Sequence, residues 1–146
     1  MRLSLKQITL VLGAALALSA CAQSDQSHSI SALETESSSR AVPEAVSSVE
    51  ILIEDSVRFM GDVEESSYFV ARSAEDPEFE ACLIEVHPDR DVPTVACSGL
   101  RNMGDHKITA IDNVTLVADD PPSGTMENQR MQKVTSNLYI DAPTDD

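Results

Sequence analysis

The sequence predicts a mostly β fold: a small antiparallel barrel or sandwich of five to seven short strands, tied by one intradomain disulfide. Three observations carry this. From Val49 onward, apolar residues recur at alternate positions. Clusters of Gly, Asp, Glu, Ser and Pro interrupt the apolar runs at short intervals. Finally, one hairpin register aligns an apolar face and sets Cys82 opposite Cys97.

Val49, Ile51, Ile53, Val57 and Phe59 alternate, with Asp55 as the exception. Period two with β-branched and aromatic residues predicts a strand with one buried face, and Asp55 is the expected place for a bulge. Gly61-Asp62 and Glu64-Glu65-Ser66-Ser67 carry turn chemistry. Tyr68-Phe69-Val70-Ala71 predicts a second strand, which Glu75-Asp76-Pro77 ends.

Phe79 to His87 and Pro93 to Cys97 predict two strands around the loop Pro88-Asp89-Arg90-Asp91. Pairing them so that Ile84 meets Val95 also brings Val86 to Pro93 and Cys82 to Cys97. All six side chains then share one face, because strand residues two apart do. Directly opposed cysteines suit the closer type of antiparallel pair. Ser98 to Asp105 is a loop with two glycines. Lys107 to Ala118 is either one bulged strand or two short strands turning at Asp112-Asn113. Asp119-Asp120-Pro121-Pro122-Ser123-Gly124 ends that run. Met126 to Lys133 predicts one or two helical turns, and Val134 to Ile140 a last strand. The Gly-Asp element after Cys97, followed by a Val/Ile-rich strand, is similar at the level of fold to oligonucleotide/oligosaccharide-binding (OB) barrels of bacterial envelope proteins. The acidic charge speaks against the nucleic-acid branch of that fold.

The N-terminus carries a different signal. Arg2 and Lys6 precede the uncharged stretch Ile8 to Leu18, which runs into Ser19, Ala20 and Cys21. A basic start, an apolar run and small residues make an export signal. The run is shorter than the roughly 20 residues needed to span a bilayer. Leu18-Ser19-Ala20-Cys21 resembles the lipobox of bacterial lipoproteins. The resemblance implies a diacylglycerol on the Cys21 thiol, cleavage before it and acylation of the new amine. Ala22, in place of Asp, implies transfer to the outer membrane, facing the periplasm.

The expected organisation is therefore a signal peptide over 1–20, a lipidated cysteine with a disordered Ser-rich tether over 21–48, a β domain over 49–141 and an acidic tail over 142–146. Serines at nine positions from Ser24 to Ser48, with few large apolar groups, motivate the tether, whose span would be about 25 to 30 Å. Loss of Arg2 and Lys6 with the signal leaves 8 basic residues against 25 acidic ones, a balance of −17. That charge repels nucleic acid and anionic headgroups and suits cationic partners.

Catalytic and metal chemistry find little support. Once Cys21 is lipidated, Cys82 and Cys97 are the remaining thiols, and an oxidising compartment favours their pairing. Closing that loop is worth about 3 kcal/mol. Their spacing is not that of a Cys-x-x-Cys site. His87 and His106 lie near Asp89, Asp91 and Asp105 in sequence, but His87-Pro88-Asp89-Arg90-Asp91 reads as a polar hairpin tip, so no metal site and no cofactor are expected. No Gly-x-Ser-x-Gly elbow is present, and no carboxylate pair is singled out. The expectation is a noncatalytic binding or accessory module with a cationic protein or cell-wall partner. The alternative is a periplasmic inhibitor or protective lipoprotein that blocks a basic enzyme such as a lysozyme.

Overall fold

The computed structural model describes residues 28–101 and 106–142. Among the described residues, eight strands form two antiparallel sheets. The first holds β1 (Arg58–Val63), β2 (Ser66–Arg72), β3 (Glu80–Val86) and β4 (Thr94–Gly99) in sequence order. The second holds β5 (Lys107–Ile111), β6 (Val114–Val117), β7 (Met131–Lys133) and β8 (Leu138–Asp141) in the order β5-β6-β8-β7. Two four-stranded sheets without closure are a sandwich arrangement and not the five-stranded OB barrel. The strand count exceeds expectation because the second half contributes four short strands.

Pairing in the first sheet follows the predicted hairpin. Cys82 faces Cys97, Ile84 faces Val95, and the two cysteines are joined as a disulfide. Asp112-Asn113 separates β5 from β6, with Asp112 at φ +51°, so Lys107 to Ala118 is two strands with a bulge near Lys107. The expected helical stretch is a single turn, α2 (Thr125–Asn128), followed by β7. At Gly61 an added Cβ would lie 3.2 Å from Thr135 Cγ2, so the absence of a side chain lets β1 approach the β7–β8 turn.

Both faces of the first sheet are covered. Its inner face, with Tyr68, Val70, Ala81 and Leu83, packs on Ile108, Ile111, Val114, Leu116 and Leu138 of the second sheet. The cysteine face, with Phe69, Ala71, Cys82 and Ile84, is the outer one. It packs under Val46, Leu52 and Val57, with Val42, Val49 and Phe59 at the margin.

This arrangement corrects two expectations. Residues 49–57 do not form a strand: they hold turns, an isolated bridge from Leu52 to Ser73 and a 3-10 turn at Glu54–Ser56. Ile51 is exposed while Leu52 is buried, the reverse of the alternation. The segment lies across the sheet as a cover, and contact with a sheet face, not strand pairing, sets which residues are buried.

The tether over 21–48 also needs correction, because residues 28–48 belong to the domain. Ile30 and Leu33 lie in the inter-sheet core, and Val46, on the single turn α1 (Glu44–Ser47), is 1 % exposed. Polar clamps fix the same segment. The buried Arg58 guanidinium donates to the carbonyls of Thr35, Asp55 and Val57 at 2.6 to 2.9 Å. Arg72 pairs with Glu34, and Arg40 makes a two-pronged pair with Asp62 at 2.8 Å while lying over the Phe59 ring. Sparse apolar residues suffice here because each falls where a sheet needs covering. The domain thus begins well before residue 49. At the other end Asp141 lies in β8, the Ala142 amide bonds the Arg130 carbonyl, and the tail expected over 142–146 otherwise lies outside the described residues.

Candidate functional site

Cys21, the expected lipidation site, lies outside the described residues. Cys82 and Cys97 are joined on the outer face of the first sheet, where they pack with Phe69 and Ile84.

The candidate site is elsewhere, at the end of the sandwich where β3 meets the hairpin loop. Glu85 sits on the inner face of β3, in the position that Ala81 and Leu83 fill further back with apolar groups. It is 5 % exposed. Burying a carboxylate demands donors. Ser66 Oγ donates to Oε1 at 2.8 Å, Tyr68 OH to the same oxygen at 3.3 Å, and Arg90 to Oε2 at 3.0 Å. The Arg90 side chain is 51 % exposed and also donates to Thr94 Oγ1. A charged group held from a surface loop therefore balances a carboxylate held by rigid strands.

A cleft of about 260 Å³ opens over this pair. Glu64 and Glu65 of the β1–β2 turn, His87, and Asp112 with Asn113 of the facing β5–β6 turn line it. Burial, reinforced by the Glu85 and Asp112 charges, pushes the Tyr68 hydroxyl up to about 12. Tyr68 is thus a hydrogen-bond donor near neutral pH and not a base. The cleft gathers acidic groups around one buried carboxylate and offers no activated nucleophile among the described residues. The arrangement presents acceptors suited to a cation or a hydrogen-bond donor.

Glu65, His87 and Asp89 bring one ligand atom each within 4.8 Å of one another on the cleft rim. His87 Nδ1 already accepts the Asp89 amide at 3.1 Å, so the ring is engaged in closing the hairpin turn. The other histidine considered from sequence, His106, stands away from this group, with its ring 4.3 Å from that of His28. Asp105 lies outside the described residues.

The sandwich's other end carries the N-terminal attachment. The His28 amide bonds the Leu100 carbonyl and the Asp119 amide bonds the Ser29 carbonyl, both at 2.8 Å. The Asp119 carboxylate accepts from Ser29, Ser31 and Asn137 at 2.8 to 3.1 Å. Burial, the largest single influence, pushes the Asp119 carboxyl up. Hydrogen bonds from Asn137, the Ser31 backbone and the two serine hydroxyls outweigh it and hold the group below its ordinary value.

Glu85, Tyr68 and Arg90 did not stand out in the sequence. The available signal was a carboxylate in the apolar run Ala81 to Val86, with an arginine in the same hairpin. Reading that signal required knowing that the face carrying Glu85 is buried. Comparison with known protein families, curated proteins and solved structures gives no match.

Proposed function

We propose that this chain is an envelope lipoprotein, anchored through lipid on Cys21, whose noncatalytic β domain binds a cationic group of a protein or cell-wall partner. The lipobox-like Leu18-Ser19-Ala20-Cys21 supports the anchor, and the periplasmic face of the outer membrane is the location that Ala22 favours. One observation carries the binding role: Glu64, Glu65 and Asp112 rim one cleft above a buried Glu85 carboxylate whose cationic partner, Arg90, is half exposed and open to competition from an entering cation. A guanidinium or ammonium entering the cleft meets acceptors from both sheets. The mature charge of −17 raises the local concentration of such partners.

Two experiments test the two halves. Labelled palmitate should enter the wild-type protein and not Cys21→Ser, and equal labelling would refute the anchor. A short arginine-rich peptide should bind the mature domain saturably, lose that binding in Glu85→Gln, and keep it in Asp120→Asn, which changes an acidic group away from the cleft. Equal loss in both variants would reduce the interaction to general charge and refute the site. If the domain inhibits lysozyme and Glu85→Gln abolishes the inhibition, the cleft serves a protective inhibitor and not an accessory module.

A further inference from the structure

Residues 28–31, which follow the proposed lipid anchor, dock at one end of the domain. Six residues separate Cys21 from His28. Fully extended, the seven steps from Cys21 to His28 cover at most about 25 Å, whatever their conformation. His28 is fixed to Leu100, just beyond β4, and the Leu100 amide bonds the Phe79 carbonyl just before β3. The second sheet reports the same end: the Ala118 amide bonds the His106 carbonyl and the Asp119 amide bonds the Ser29 carbonyl. The Glu85 cleft lies at the far end of both sheets, beside the β3–β4 loop and the Asp112-Asn113 turn. The length of β3, from Glu80 to Val86, separates the two ends by about 20 Å.

We infer that, averaged over all positions that a reach of about 25 Å permits, the anchored protein holds its Phe79–Leu100–Arg101 end nearer the bilayer than its Glu85 cleft, so that the cleft receives partners from the aqueous space beyond the membrane. The side chains fit this placement. Arg101 lies 3.4 Å over the Phe79 ring, a cation–aromatic pair of the kind that tolerates an interface. Glu75, Asp76 and Glu78 are exposed at the same end, and their repulsion by anionic headgroups keeps that end above the surface and out of the bilayer. The inference rests on the Cys21 anchor for its place in the cell, but the geometry can be tested without it.

The chain contains no Trp, so single tryptophans report cleanly. With Cys82 and Cys97 oxidised, Cys21 is the free thiol of the mature chain, and it can be coupled to a maleimide-headgroup lipid in phosphatidylcholine vesicles carrying dansyl-labelled lipid. Phe79→Trp marks the near end; Glu78→Trp replaces it if that variant fails to fold. Val92→Trp marks the hairpin loop, where Val92 is 73 % exposed. Energy transfer to dansyl should be stronger from the near position, by about twofold or more where the full height difference of about 20 Å is kept. Equal transfer, or stronger transfer from Val92→Trp, would overturn the orientation. Because the coupling is chemical, that outcome is separate from failure of palmitate labelling in cells, which would remove the anchor and leave the measured geometry standing.

Discussion

The two faces of the first sheet are buried to the same degree by different means. The inner face meets another sheet, apolar on apolar, and its position follows from strand pairing alone. The outer face meets a segment with little regular structure, residues 42–57, whose few apolar groups are held in place by arginine clamps and by the disulfide beneath. The cover gains only one isolated bridge, in which the Ile53 amide bonds the Arg72 carbonyl and the Ala74 amide the Ile51 carbonyl, so side chains supply further fixed points. Arg58 does this by donating its guanidinium to the carbonyl oxygens of Thr35, Asp55 and Val57.

The largest test of this difference is truncation. A chain beginning at Ala45 loses Ile30 and Leu33 from the core, together with Thr35, the acceptor of Arg58. Burial of those two apolar side chains alone is worth about 3 to 6 kcal/mol. The melting temperature should fall by at least about 10 °C, or the domain should not fold. Equal melts for the truncated and full mature chains would show that residues 28–44 are dispensable to the fold.

Replacing both Cys82 and Cys97 by Ala should cost about 2 to 5 kcal/mol in denaturant unfolding, through the outer face and the lost cross-link together. One disulfide-joined peptide pair is expected in the unreduced digest; free thiols in protein taken from the periplasm would contradict it. Arg58→Ala should cost about 2 to 3 kcal/mol, because the change strands carbonyls that lie partly out of water. Arg40→Ala, at an exposed pair, should change the melt far less. If the order of these two were reversed, the buried clamp would not be what holds the cover.

Asp119 gives the smallest and most selective effect. Its folded value lies below the ordinary 3.8. The stability it contributes is therefore complete above about pH 4 and is lost as the pH falls through the lower folded value. Wild type should melt higher than Asp119→Asn at pH 6, and the gap should close below about pH 4. A gap that does not narrow as the pH falls below about 4 would mean that the Ser29 and Ser31 contacts do not depend on the charge.

Sequence alone determined the β class, the hairpin register and the cysteine pairing. These rest on period-two patterning and on turn residues, which are local properties of the chain. Tyr68 to Ala71 and Ala81 to Ile84 are unbroken apolar runs, and such runs signal strands buried on both faces. An amphipathic reading assigns them one buried face, and so it leaves residues 28–48 with nothing to cover. Only the tertiary structure decided that a serine-rich segment is part of the fold. Ile30, Leu33 and Val46 show no periodicity of their own, and the surfaces they bury against come from strands 20 or more residues away. The Glu85 cleft was decided the same way: one carboxylate among 25 acidic residues becomes distinctive when two sheets close over it and a loop arginine turns back to meet it.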